Sequence, residues 1–204
     1  ANGSYALWFD ESRPRNWTEG PPQLHTDIDM RVEGERYAVV SRSASEEVVR
    51  RIYYDGSAWY VAAAGTNGTT YRVVDDTGEA PSVGANPFAL RETLVRRYLS
   101  TPESKYEGYI DQKGDLFYRF TGEGTPEGMG LDGVSDYRFF AVIDDSGLVV
   151  IGQIEYTLTV DDRRTEVRIR WTYGGFGETT VSRPSWYDAA LENGTQPTPT
   201  ATPS

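Results

Sequence analysis

Between Thr26 and Val32 polar and apolar residues alternate without a break, with Ile28, Met30 and Val32 on one side and Asp27, Asp29 and Arg31 on the other. A period of two sends successive side chains to opposite faces of an extended chain, so this segment predicts a half-buried β-strand. The pattern recurs along the chain, punctuated by turn residues. Glu33-Gly34-Glu35 leads into residues 36–42, Asp55-Gly56 divides residues 48–54 from 58–62, and Asn67-Gly68 precedes residues 70–74. Asp-Gly supplies the positive φ angles of a two-residue type I′ turn, and Asn-Gly marks a second hairpin tip. Further on, residues 106–110 turn at Gln112-Lys113-Gly114 into 116–120, and residues 138–143 turn at Asp144–Gly147 into a long strand over 148–160. Asp161-Asp162 then reverses the chain into 166–173, where Val167, Ile169, Trp171 and Tyr173 share one face. Consecutive hairpins of this kind build an antiparallel meander.

One stretch breaks the period. Asn86 suits a helix N-cap, Pro87 suits the first helical position, and Leu90, Leu94 and Tyr98 recur every four residues. This predicts a helix near 87–99 with one apolar stripe, ended by Thr101-Pro102, and a second short helix is expected from Ser185 to Leu191. The fold expected is mainly β: a single domain over residues 1–192 in which a curved antiparallel half-barrel wraps over one amphipathic helix. Residues 193–204 end in alternating proline and threonine, which predicts an extended stalk or linker.

Most catalytic chemistry is poorly served. The chain has no cysteine and a single histidine, His25, which leaves no thiolate chemistry and no paired-histidine metal site. There is no Gly-x-Ser-x-Gly nucleophile motif. The carboxylate pairs Asp75-Asp76, Asp144-Asp145 and Asp161-Asp162 fall at turns, where aspartate caps backbone groups. Glu155 and Glu166 fall on polar strand faces and are expected to pair with Arg168 or Arg170 across the sheet. The run from Thr121 to Gly130 lacks the end of a phosphate-binding loop and reads as a flexible loop over an opening. No enzyme, catalytic residue, metal site or cofactor is therefore expected.

Charge narrows the setting. With 31 acidic against 20 basic residues and a net charge of −11, nucleic acid is not an expected partner. Lysine occurs only at Lys105 and Lys113, every other side-chain cation apart from histidine being arginine. An acidic, lysine-poor surface stays hydrated and is screened in concentrated salt, which points to a halophile. No run of about 18 apolar residues is present. Ala1 is read as the mature start of a longer precursor, with attachment to the cell envelope through an anchor outside this sequence. Sequons at Asn2, Asn16, Asn67 and Asn193, together with the stalk, predict a glycosylated domain at the cell surface.

Aromatic residues are abundant: five tryptophans, 14 tyrosines and seven phenylalanines. They either fill a core or leave an apolar cavity for a hydrophobic ligand. Such a cavity would lie between the stripe of Leu90, Leu94 and Tyr98 and the inward strand residues Met30, Trp59, Val61 and Trp171. Residues 139–186 carry Ala-Val-Ile-Asp-Asp-Ser-Gly-Leu-Val, then Tyr-Thr-Leu-Thr-Val and Glu-Val-Arg-Ile-Arg-Trp, and finally Thr-Val-Ser-Arg-Pro-Ser-Trp. This segment resembles the C-terminal part of haloarchaeal surface lipoproteins, which are similar in layout to lipoprotein and lipid carriers of the LolA, LolB and LppX kind. The resemblance implies a half-barrel closed by helices over a hydrophobic cavity that takes a lipid or other hydrophobic small molecule. It transfers no individual functional residue. No helix pattern precedes residues 4–9 and no lipobox cysteine is visible, so a second expectation stands beside the carrier. It is a structural or adhesive surface glycoprotein, or a self-associating subunit of an extracellular assembly.

Overall fold

The computed structural model describes residues 3–12, 26–42, 48–75 and 87–194. Six strands come first: β1 (Tyr5–Ser12), β2 (Thr26–Glu33), β3 (Arg36–Arg42), β4 (Val48–Tyr54), β5 (Ala58–Gly65) and β6 (Gly68–Asp75). Helix α1 (Pro87–Tyr98) follows, then β7 (Glu103–Gln112), β8 (Asp115–Glu123), a 3-10 turn at Glu127–Met129, β9 (Val134–Asp144), β10 (Val149–Val160), β11 (Arg163–Gly174) and α2 (Tyr187–Asn193).

The strands form one antiparallel sheet in the order β6-β5-β4-β3-β2-β1-β11-β10-β9-β8-β7. It consists of two meanders joined where the first strand pairs with the last: Leu7 faces Tyr173 and Phe9 faces Trp171 across β1 and β11. The sheet edges, β6 and β7, therefore come from mid-chain, on either side of α1. The sheet is curved and does not close, as the sequence pattern predicts.

Turn chemistry sets the registers. Asp161 and Asp162 both have positive φ, 48° and 63°, and form the two-residue reversal between β10 and β11. Lys113 and Gly114 do the same between β7 and β8 at 59° and 98°. The Asp55-Gly56 hairpin forms, but not through the type I′ turn expected. Only Gly56 takes positive φ, at 100°, and the loop has three residues, because Asp55 Oδ1 accepts hydrogen bonds from the Ser57 amide at 2.8 Å and the Ala58 amide at 3.0 Å. That side-chain anchorage is an Asx-type closure. Asp144 works similarly, accepting from the amides of Ser146 and Leu148 at 3.0 and 2.9 Å.

Alternation sends one set of side chains inward. Leu7, Met30, Val39, Ile52, Val74, Ile154, Ile169 and Trp171 belong to one continuous buried cluster, which Leu94 of α1 and Met129 of the 3-10 turn join. The glycine-rich loop thus has a fixed anchor: Met129 is buried, and Gly128 lies against the backbone of Arg96 in α1. Helix α2 sits on the opposite, outer face. There Tyr53, Tyr60 and Ala190 form a second cluster flanked by Tyr187, and Tyr187 donates a hydrogen bond to the Tyr60 hydroxyl at 2.9 Å.

Candidate functional site: the inner face beneath the helix

The sequence-derived cavity residues converge. Met30, Trp59, Val61, Leu94 and Trp171 are buried members of the inner cluster, and Leu90 and Tyr98 pack half-buried against it. Met30 comes from β2, Trp59 and Val61 from β5, and Trp171 from β11, so strands from both meanders meet under the helix. Each points inward because register fixes its parity: Met30 faces Leu7, Leu7 faces Tyr173, and Trp171 faces Phe9.

Aromatic residues order this interior. Trp59 stacks on Tyr54 at 5.0 Å between ring centroids, and Tyr54 stacks on Tyr37 at 5.2 Å. The Trp59 indole N–H donates to the Tyr37 hydroxyl, so the polar edge of the stack is satisfied within it. At the other end of α1, the Tyr137 hydroxyl donates to the Tyr98 carbonyl at 2.6 Å, tying the helix C-terminus to β9. Burial raises the Tyr137 phenol above its usual value, followed in weight by the neighbouring Tyr98 and Tyr156 phenols. The Tyr137 hydroxyl is a neutral structural group at physiological pH.

Two inward residues outside the predicted cavity set complete the surface. Tyr5 and Tyr173 meet edge to face with ring centroids 5.5 Å apart and pack with the inner cluster. Their alternation with Leu7 and Phe9, and with Ile169 and Trp171, was the available signal. Beyond β9 the inner face leaves the covered region. Phe120 faces Ala141 and Tyr106 faces Phe120, while Tyr118 faces Ile143 and Tyr109 faces Tyr118. Tyr106 and Tyr109 are exposed, so the aromatic surface runs from the dry interior out to the edge strand.

On the outer face, Glu155 bridges two strands. It accepts from Arg138 Nε at 2.9 Å and from Arg168 Nε at 2.8 Å, the arginines standing opposite it on β9 and β11. The Arg138 guanidinium holds its carboxyl below the usual glutamate range, with Arg168 adding to the effect against the cost of burial. The bridge borders a shallow groove of about 290 Å³ lined also by Thr121, Glu123, Phe140 and Gln153. The cross-strand pairing expected for Glu155 is therefore present, with Arg138 as a further partner.

Asn67 is exposed in the turn between β5 and β6, and Asn193 is exposed at the end of α2, where its side-chain amide donates to the Ala189 carbonyl at 3.0 Å. Asn2, Asn16, His25, Asp76 and the stalk from residue 195 onward lie outside the described residues. Among the described residues no group of three or more histidine, cysteine, aspartate or glutamate side chains is placed to hold a metal. No described helix is long and apolar enough to cross a membrane.

What the fold defines is an open, curved antiparallel sheet with an apolar inner face and a helix seated on it. No protein-family model matches the chain, and no curated protein matches it. Solved structures similar to it include lipoprotein LppX of Mycobacterium tuberculosis, at 13% identity over 88% of each chain with a TM-score of 0.43. Another is LprF from Mycobacterium bovis, at 13% identity over 89% of each chain, TM-score 0.43. A putative outer membrane lipoprotein-sorting protein domain from Vibrio parahaemolyticus shares 6% identity over 94% of this chain and 92% of that one, TM-score 0.29. At these values the likeness lies in the general course of the strands and matches no residue to a role.

Proposed function

We propose that this is a non-catalytic domain of a halophile's cell surface that holds a lipid or other hydrophobic small molecule against the inner face of its sheet, beneath α1. The observation that carries this reading is a mismatch of dimensions. Eleven strands at about 4.8 Å spacing give a sheet on the order of 48 Å wide. A 12-residue helix is about 18 Å long and about 10–12 Å across with its side chains. Among the described residues α1 and one 3-10 turn are the only helical cover on that face, yet its apolar lining continues from Val74 on β6 to Phe139 on β9. Those lining residues are buried as the sheet curves over them, so a guest would take its place by lifting the helix from an apolar surface broader than the helix itself. The exposed Tyr106 and Tyr109 extend the same surface outward and give such a guest a path in.

A second reading, a structural or adhesive glycoprotein or assembly subunit, draws on β7. This edge strand is ten residues long and exposed along most of its length, as a strand awaiting a neighbour would be. The exposed sequons Asn67 and Asn193 suit either reading.

Native mass spectrometry of protein purified from its own source separates them. Retained lipid mass on a monomer supports the carrier. A ladder of oligomers without bound lipid overturns it in favour of the subunit.

A further inference from the structure

Two hydroxyl groups inside the molecule have no hydrogen-bond partner, and the rings that carry them are in contact. The Tyr5 and Tyr173 phenol oxygens are shielded from water, and neither is bonded to any other group. Tyr173 is 5% exposed as a whole residue. Buried polar groups are almost always paired, since leaving one unpaired forfeits its hydration. The neighbouring inner-face phenols follow that rule: Tyr37 accepts from Trp59 and Tyr137 donates to the Tyr98 carbonyl.

A cation accompanies the two phenols. Arg91 on α1 lies between Leu90 and Leu94 in sequence, and its charge acts on both phenols, working against the upward push of burial. The first turn of α1 carries no acidic residue, and Glu92 is engaged by Arg96 at 2.8 Å. The two rings on β1 and β11 therefore offer two O–H donors at the apolar cluster, under the influence of the Arg91 charge.

We propose that Tyr5, Tyr173 and Arg91 form the head-group site of this domain, binding the carboxylate or phosphate oxygens of an anionic amphiphile whose tail lies along the inner face. The assignment rests on the carrier reading above and narrows it to ligands with an acidic head. The rings meet edge to face with centroids 5.5 Å apart, and the site assigned here has an anionic group with two or more oxygens accept from both phenols. Hydrogen bonds to a charged acceptor are the strong ones, and a site sealed from water strengthens them. Arg91 is exposed on its helix and its charge acts on both phenols, which favours an anionic group beside them.

The test uses a fluorescent polyene fatty acid and its methyl ester as probes, titrated into wild-type protein, Tyr5→Phe, Tyr173→Phe and Arg91→Gln. Wild type is expected to bind the acid about tenfold more tightly than the ester, the scale of one charge-assisted hydrogen bond. Each phenylalanine variant should lower acid affinity by about tenfold, leave ester affinity unchanged, and melt no lower than wild type when ligand-free, since it removes only an unpaired hydroxyl. Arg91→Gln should weaken the acid and spare the ester. Competition by hexadecanoate and by hexadecyl phosphate identifies the head group: displacement by either supports the site, and displacement by neither overturns it. Equal binding of acid and ester, or unchanged acid affinity in both phenylalanine variants, overturns the head-group site and leaves hydrophobic carriage standing. Binding of neither probe overturns both.

Discussion

The indole of Trp171 lies over Gly152, its cross-strand neighbour, so closely that a Cβ on that glycine would stand 2.1 Å from the ring. A glycine in mid-strand ordinarily weakens the strand. Here it makes room for the largest fully buried side chain of the inner cluster. Gly152→Ala is expected to destabilise the protein by about 1–3 kcal/mol, the range for forcing a group into a packed core. Gly3→Ala, where no atom lies within 4 Å of the added carbon, should change little. Urea midpoints of the two variants make the comparison.

The hold on α1 is narrow. Among its residues 90–98, Leu94 alone is buried, and the half-buried Leu90 and Tyr98 and the Tyr137 bond to the Tyr98 carbonyl add to its hold. Leu94→Ala should cost about 2 kcal/mol, at the low end for such truncations, because a lightly held helix can settle into the space. Local opening should carry the loss. Hydrogen exchange is expected to speed up over residues 87–99 while β10 and β11 keep their protection. Uniform acceleration through the sheet would show instead that Leu94 is part of one tightly packed core.

Glu155 gives the fold a pH dependence of defined sign. Its folded carboxyl titrates below the ordinary value of 4.5 because Arg138, then Arg168, stabilises the charged form. A depressed carboxylate contributes stability that is fully present above its unfolded pKa and disappears as pH falls through the lower, folded one. Glu155→Gln should therefore lower the melting midpoint at pH 7 and have little effect below about pH 3, well under the unfolded glutamate value. The arginines are 70% and 49% exposed, so the shift should be small and shrink further in salt. Melts of both proteins across pH, at low and high salt, give the check.

How much of this was legible beforehand follows from the range of each interaction. The strands of β2 and β11 are written in local alternation, and α1 in the four-residue spacing of Leu90, Leu94 and Tyr98, so these elements and their inward faces could be read directly. The pairing of Leu7 with Tyr173 joins opposite ends of the chain, and no local pattern encodes it. Tyr53 and Tyr54 are adjacent and aromatic, and only register decides that Tyr54 stacks inward on Trp59 while Tyr53 faces Tyr187 on the outside. The same limit hid the head-group site. Alternation points Tyr5 and Tyr173 inward, but whether a buried hydroxyl has a partner depends on what the helix and neighbouring strands bring to it.

The excess of acidic residues predicts a salt requirement. At a net charge of −11 the surface repels itself, and near 1 M salt the Debye length falls to about 3 Å, which removes most of that repulsion. Salt also screens favourable pairs such as Arg164 with Asp136 at 3.2 Å and Lys105 with Glu107 at 2.8 Å. Exposed pairs of this kind contribute little, so the repulsion should dominate. The melting midpoint is expected to rise steadily from low salt to the molar range. A flat or falling midpoint would remove the halophile assignment.

The edge strand β7 decides between carrier and subunit. A long exposed edge invites pairing with another chain, and proteins that stay monomeric blunt such edges with lysine and with bulges. Both devices are present. Lys105, one of two lysines in the chain, stands on β7, and the other, Lys113, sits in the turn that follows. Between Tyr106 and Gly108 the register shifts by a bulge that leaves Glu107 unpaired in the ladder. Gly108 has a φ of 103°, and Arg119 of β8 donates to the Glu107 carbonyl at 3.2 Å. Replacing Lys105 and Glu107 by threonine and Gly108 by valine should straighten and neutralise the edge. Sedimentation velocity in high salt is then expected to show a monomeric wild type and a variant that associates as its concentration rises. Association by the wild type, lost when proline replaces Tyr109 on the edge, would mean that β7 is a docking strand and would favour the assembly subunit over the carrier.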